Sequence, residues 1–125
     1  MVRDATVGEV AAGLLFTLPS APMVFAGDDI GMRGVVGEDA RRPFPWHRPD
    51  TWDRATLAYY RGLGVLRRDS HGLRRGGLRW VHAAGDVLAY LRESVQERLL
   101  VLATRTRAWR SAADDRRSIP PPPWG

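Results

Sequence analysis

The 125-residue sequence has no cysteine, no lysine and no long apolar run. Without cysteine, disulfides, thiolate metal sites and a cysteine nucleophile are excluded. Without lysine, all nineteen basic residues are arginine. They lie mostly singly or in pairs from Arg3 to Arg117 with acids among them, and the absence of lysine looks more like codon bias than selection for phosphate contact. The longest apolar stretch, residues 10–18, falls short of the roughly 18–20 residues that a membrane-spanning helix needs. The segment ahead of it carries Arg3, Asp4 and Glu9, one positive charge against two negative, where a secretory signal requires net positive charge. The expected location is therefore cytoplasmic, with no membrane partner.

What is present suits one small soluble domain: 14.0 kDa, 44% hydrophobic and 26% charged residues. That is roughly half of what a closed eight-stranded barrel enzyme needs. The formal net charge of +5 and sequence pI near 10.9 fit either an anionic partner or a part of a larger chain whose acids lie elsewhere.

Along the chain the hydrophobic period changes twice. Val7, Val10, Ala11, Leu14, Leu15 and Leu18 form a helical stripe expected to face a core, and Pro19 and Pro22 stop that helix. Met23-Val24-Phe25-Ala26, ended by Gly27, reads as a short buried strand of the parallel type. Residues 27–52 form a long glycine- and proline-bearing loop with Phe44, Trp46, His47 and Trp52 in it. An ordered aromatic loop after a buried strand is where α/β proteins place their sites. A second helix is expected over about 54–68, with Ala55, Tyr59, Leu63 and Leu66 as its stripe, Asp50 or Asp53 as its N-cap, Arg67-Arg68 at its C-terminal end, Gly62 and Gly64 weakening it, and His71-Gly72 ending it. Residues 78–83, 87–92 and 99–104 are short β-type runs separated by tight turns, the pattern of an antiparallel meander. From Ser111 the chain is polar and ends in a proline run, so residues 107–125 are expected to be disordered or polyproline-like. The fold class is therefore α/β followed by β.

Four groups of residues invite a chemical reading. Asp28 and Asp29, within Gly27-Asp28-Asp29-Ile30-Gly31, fit either acid–base or cation chemistry or the capping of loop backbone. Arg41-Arg42, beside Phe44-Pro45-Trp46, offer forked donors next to an aromatic face, a combination that suits sugar hydroxyls and the sugar C–H surface. The same arginines could instead pair with Asp28, Asp29, Glu38 or Asp39 and fix the loop. His47, His71 and His82 lack metal-ligand spacing, so no metal is assigned. Arg67-Arg68 and Arg74-Arg75 lack interleaved stacking aromatics, so no nucleic-acid partner is assigned either.

Several segments in order, taken together, resemble the C-terminal portion of an α-amylase-family glycosidase (glycoside hydrolase family 13), in the α-glucosidase, neopullulanase and maltodextrin-hydrolase group. They are Leu14-Leu15-Phe16-Thr17-Leu18-Pro19; Pro22-Met23-Val24-Phe25-Ala26-Gly27-Asp28-Asp29-Ile30-Gly31-Met32; Gly37-Glu38-Asp39-Ala40-Arg41-Arg42-Pro43-Phe44-Pro45-Trp46; Leu66-Arg67-Arg68; and Leu73-Arg74-Arg75-Gly76. The resemblance implies that residues 1–75 are the end of a β/α TIM barrel, comprising the seventh helix, eighth strand, active-site-face loop and eighth helix. Residues 76–106 would then begin a truncated antiparallel β-domain. It implies a parent hydrolase acting on α-glucosidic bonds of maltodextrin-like saccharides in carbohydrate metabolism. No organic cofactor is implied, and any structural calcium would sit elsewhere in the parent.

The resemblance also implies the site. Asp28, Asp39, Arg41, Arg42 and Trp46 are the expected substrate-binding residues for an α-glucan or maltooligosaccharide. The nucleophilic aspartate, the glutamate acid/base and the stabilising aspartate of the family lie upstream of the matching segments, so no catalytic residue is expected in this chain. Two departures stand out: Asp29 replaces the family's usual glutamate, and Ser20-Ala21-Pro22 replaces Gly-Thr-Pro. A stand-alone carbohydrate-binding module and an arginine-rich nucleic-acid binder are the alternatives from other classes.

Overall fold

Residues 54–69 have an aspartate ahead of them and arginines near their end, and they form a helix despite Gly62 and Gly64. In the computed structural model, which describes residues 7–34 and 41–105, α2 spans Arg54–Asp69. Asp53 caps it: the Asp53 carboxylate accepts from the Ala55 and Thr56 amides at 3.0 and 3.1 Å. Arg67 and Arg68 stand in its last turn, where the helix dipole favours positive charge. Ser70 then breaks the helix, and its hydroxyl accepts from the Leu73 amide to start the short α3, His71–Arg75. Helix therefore resumes at the His71-Gly72 pair that was expected to end it, because Glu97 from a distant turn receives both the Ser70 hydroxyl and the Gly72 amide.

The first helix, α1, spans Val7–Thr17. Its buried residues are Glu9, Ala12 and Thr17 rather than the expected apolar stripe. Val7, Val10, Ala11 and Leu14 instead line an open groove of about 350 Å³ against Leu88 and Ala103. The helix meets its neighbours through polar joints: the Tyr59 hydroxyl donates to the Glu9 carbonyl at 2.7 Å, and the Thr17 and Tyr90 hydroxyls lie 2.6 Å apart.

Three strands, β1 (Gly77–Ala84), β2 (Val87–Glu93) and β3 (Arg98–Thr104), form an antiparallel sheet in the order β1-β2-β3. The expected runs and turns are all present, with an irregularity between Trp80 and His82. Gly85, at φ 58°, supplies the left-handed turn between β1 and β2. The middle strand carries the core: Ala89 and Tyr90 are buried, and so is Arg92.

The expected parallel strand at residues 23–26 is absent. These residues have no regular secondary structure, and Met23 and Phe25 are 80% and 50% exposed. A parallel strand is made by its neighbours on both sides, and the only sheet among the described residues is the antiparallel one. Asp39 and the tail expected to be disordered (residues 107–125) lie outside the described residues. No described helix is long and apolar enough to cross a membrane.

Candidate functional site

The exposed run at residues 23–26 leads into a rigid turn. Gly27 (φ 96°) and Gly31 (φ 72°) bracket a 3-10 turn, Asp28–Ile30. Both φ values are left-handed, which glycine alone adopts readily. A Cβ on Gly27 would also collide with the Met32 side chain. The Met32 amide closes the turn onto the Gly27 carbonyl at 2.9 Å, and the Asp53 amide donates to the Ile30 carbonyl at 2.9 Å. With Ile30 buried beneath it, the turn sits on the N-terminal end of α2.

This placement holds Asp28 at the surface and Asp29 half-buried. Neither carboxylate has a hydrogen-bond or ion-pair partner among the described residues. The reading in which they pair with loop arginines therefore finds no support at these two positions. Tyr60 faces them from α2: burial raises its phenol pKa, and the negative charges of Asp28 and Asp29 raise it further. Phe16 stands edge-on to Tyr60 at 6.2 Å.

The second part of the loop builds an aromatic surface. The Phe44 and Trp46 rings lie 4.3 Å apart, and Trp52 stands edge-on to both at 5.4 and 6.0 Å. The Trp52 indole N–H donates to the Pro45 carbonyl at 3.1 Å, so the cluster is tied to its own backbone. Arg54 lies over the Trp52 ring at 5.4 Å. Trp46 remains 74% exposed. Arg41 and Arg42 are exposed as well, and Arg42 donates to the Arg33 carbonyl. Arg48 and Asp50 form a surface pair at 3.1 Å, and that hydrogen bond lowers the Asp50 pKa.

The structure thus places an aromatic surface and exposed guanidinium donors on one part of the loop and two carboxylates facing Tyr60 on the other. Chemically, an exposed indole face can stack on a polyhydroxylated ring, and a guanidinium can donate to its hydroxyls. No described group of three His, Asp or Glu residues could hold a metal ion. Sequence reasoning missed Tyr60, which follows the stripe residue Tyr59 and faces the turn only because α1 and α2 pack as they do. It also treated Phe44 and Trp52 as loop aromatics without recognising that they present Trp46.

No family model matches the chain. Among curated proteins it is 34% identical over 87 residues to an amylopullulanase of Thermoanaerobacter thermohydrosulfuricus, a match covering 70% of this chain and 6% of that protein. It is 36% identical over 67 residues to neopullulanase 2 of Thermoactinomyces vulgaris, covering 54% of this chain and 11% of that protein. Among solved structures, cyclic α-maltosyl-(1→6)-maltose hydrolase from Arthrobacter globiformis superposes with a TM-score of 0.70 at 31% identity. That match covers 78% of this chain and 22% of the hydrolase. By sequence and by fold, the chain resembles part of the α-amylase family of glycosidases, glycoside hydrolase family 13, and it spans a small part of the relatives it matches.

Proposed function

We propose that this chain supplies part of the substrate wall of an α-glucan-acting glycosidase and none of its catalytic acids. In this reading α1 and α2 correspond to the last two barrel helices, residues 23–26 to the last barrel strand, and β1–β3 to the start of the following β-domain. Trp46 stacks on a glucose ring, Arg41 and Arg42 donate to its hydroxyls, and Asp28 and Asp39 accept from them. The parent enzyme would hydrolyse α-glucosidic bonds of maltodextrin-like substrates. Hydrolysis with retention needs two carboxyl groups about 5–5.5 Å apart across the anomeric carbon, one of them a nucleophile. Asp28 and Asp29 are adjacent in sequence, and adjacent side chains seldom converge on one atom.

The observation that carries this reading is the exposed Trp46 ring, supported from behind by Phe44 and Trp52 and followed by no covering element among the described residues. Titration with maltotriose, followed by tryptophan fluorescence, tests it. Saturable binding is expected, and Arg41→Ala or Trp46→Ala should each weaken it at least about tenfold, the loss of one good contact. The same material should not turn over a nitrophenyl α-glucoside. Absence of sugar binding, or turnover that Asp28→Asn abolishes, would overturn the reading. Binding to duplex DNA at low salt would favour the nucleic-acid alternative instead.

A further inference from the structure

A helix leaves its last carbonyls without intrahelical partners. At the end of α1 two arginines take them. Arg67, from the last turn of α2, donates through Nη1 to the Phe16 carbonyl at 2.7 Å and to the Leu18 carbonyl at 3.1 Å. Its Nη2 donates to the Ser20 carbonyl. Arg92, from β2, donates to the Thr17 carbonyl between them. Neither guanidinium has a carboxylate partner among the described residues.

Arg67 therefore does more than cap a helix. Leu18 and Ser20 lie past the end of α1, in the bend that turns the chain toward the exposed run. Between that bend and the 3-10 turn at Asp28–Ile30, the backbone of residues 21–26 makes one hydrogen bond among the described residues, from the Asp28 amide to the Phe25 carbonyl. The segment is thus fixed at its two ends: upstream by Arg67 and downstream by the Asp53 amide on the Ile30 carbonyl. Both anchors belong to α2 or its cap, so the helix holds the bend and the turn in one frame.

We propose that Arg67 is a positioning residue for the Gly27–Gly31 rim: by gripping the backbone of residues 16–20 it fixes where the rim begins and how Asp28 is presented. Its influence on sugar binding rests on the reading of the rim as a carbohydrate site. A flat guanidinium bridging three carbonyls has no substitute among the single-point donors, so lysine should restore only part of the effect.

Amide hydrogen exchange on the full chain tests this directly. In Arg67→Met, the Ile30, Gly31 and Met32 amides, all hydrogen-bonded within the turn, should exchange at least about tenfold faster, while the Tyr90 and Val101 amides of the sheet keep their rates. Arg67→Lys should give an intermediate rate at the same amides, and Arg68→Met, at the exposed neighbour, should change none of them. The maltotriose dissociation constant should rise in parallel with the exchange rates. Unchanged rim amides, or equal acceleration across rim and sheet, would overturn the proposal. If Arg67→Met does not fold, Arg67→Lys decides it by the same criterion. If the unaltered protein binds no maltotriose, the sugar-site reading fails while the exchange pattern still settles the role of Arg67.

Discussion

Arg92 is 1% exposed, and a buried charge without a counter-ion is costly unless its donors are used. Here four of its five N–H donors are used on carbonyls: Thr17 at the end of α1, Leu73 and Gly76 at 3.1 and 2.8 Å around the end of α3, and Gly77 at 3.3 Å where β1 begins. The charge therefore sits where two helix C-termini point, the end of the dipole that favours a cation. Burial and the neighbouring charge of Arg67 pull the Arg92 pKa down, but a guanidinium stays protonated in proteins. Arg92→Met keeps the apolar bulk and leaves those carbonyls without a donor. At about 1–3 kcal/mol for each acceptor left buried and unpaired, and with water reaching some of them, the expected net loss is about 3 kcal/mol. Tyr90→Phe is the matched control, since Tyr90 is also fully buried and its hydroxyl meets Thr17. Thr17 keeps its own bond to the Gly13 carbonyl at 2.7 Å, so this change should cost only about 1 kcal/mol. Urea unfolding at pH 7 compares the two, and equal losses would mean that the carbonyl cradle contributes little.

The helices and strands differ in how far local chemistry decides them, and the glycines of α2 measure this. At Gly62 and Gly64 a Cβ would meet nothing within 4 Å. Alanine at each should therefore stabilise the chain by about 0.5–1 kcal/mol, through helix propensity and a less floppy unfolded state. At Gly76 a Cβ would strike the Gly72 carbonyl and lie 2.7 Å from that of Glu93, so Gly76→Ala should lower the melting temperature while the other two raise it. Thermal melts of the three variants check the signs. Helix α2 was legible in the sequence because its stripe, its Asp53 cap and its terminal arginines all agree. The meander was legible because its turns interrupt β-type runs at short spacing. Residues 23–26 form no strand in this structure because an apolar run becomes a parallel strand only when flanking strands supply its hydrogen bonds. In the site, Trp46, Arg41 and the Gly27–Gly31 turn could be picked out locally. Tyr60 and Arg67 could not, since their partners lie about 30 and 50 residues away along the chain and are chosen by how α1 packs on α2.

At the scale of the whole molecule, the apolar surface exceeds what the described elements cover. Among the described residues, six hydrophobic ones are buried: Ala12, Ile30, Leu57, Leu73, Ala89 and Tyr90. Against these stand Met23, Val24 and Phe25 on the unpaired run, and Leu100 and Leu102 on the outer face of the sheet, all exposed. A run of unpaired backbone with apolar side chains is a template for pairing with another chain, and a one-layer sheet with an apolar outer face is a second adhesive surface. The net charge of +5 opposes association through mutual repulsion, but salt screens that repulsion within about 8–10 Å, while apolar burial is unaffected. Self-association is therefore expected, and raising salt should strengthen it. The run should matter more than the sheet face, because it offers hydrogen-bonding groups as well as apolar area. Phe25→Glu is accordingly expected to weaken self-association by at least about tenfold, whereas Leu100→Glu should have a smaller effect. Analytical ultracentrifugation over a concentration series, at low and moderate salt, reads both. A sharp, concentration-independent melt from a strictly monomeric protein would show that the exposed run is not adhesive.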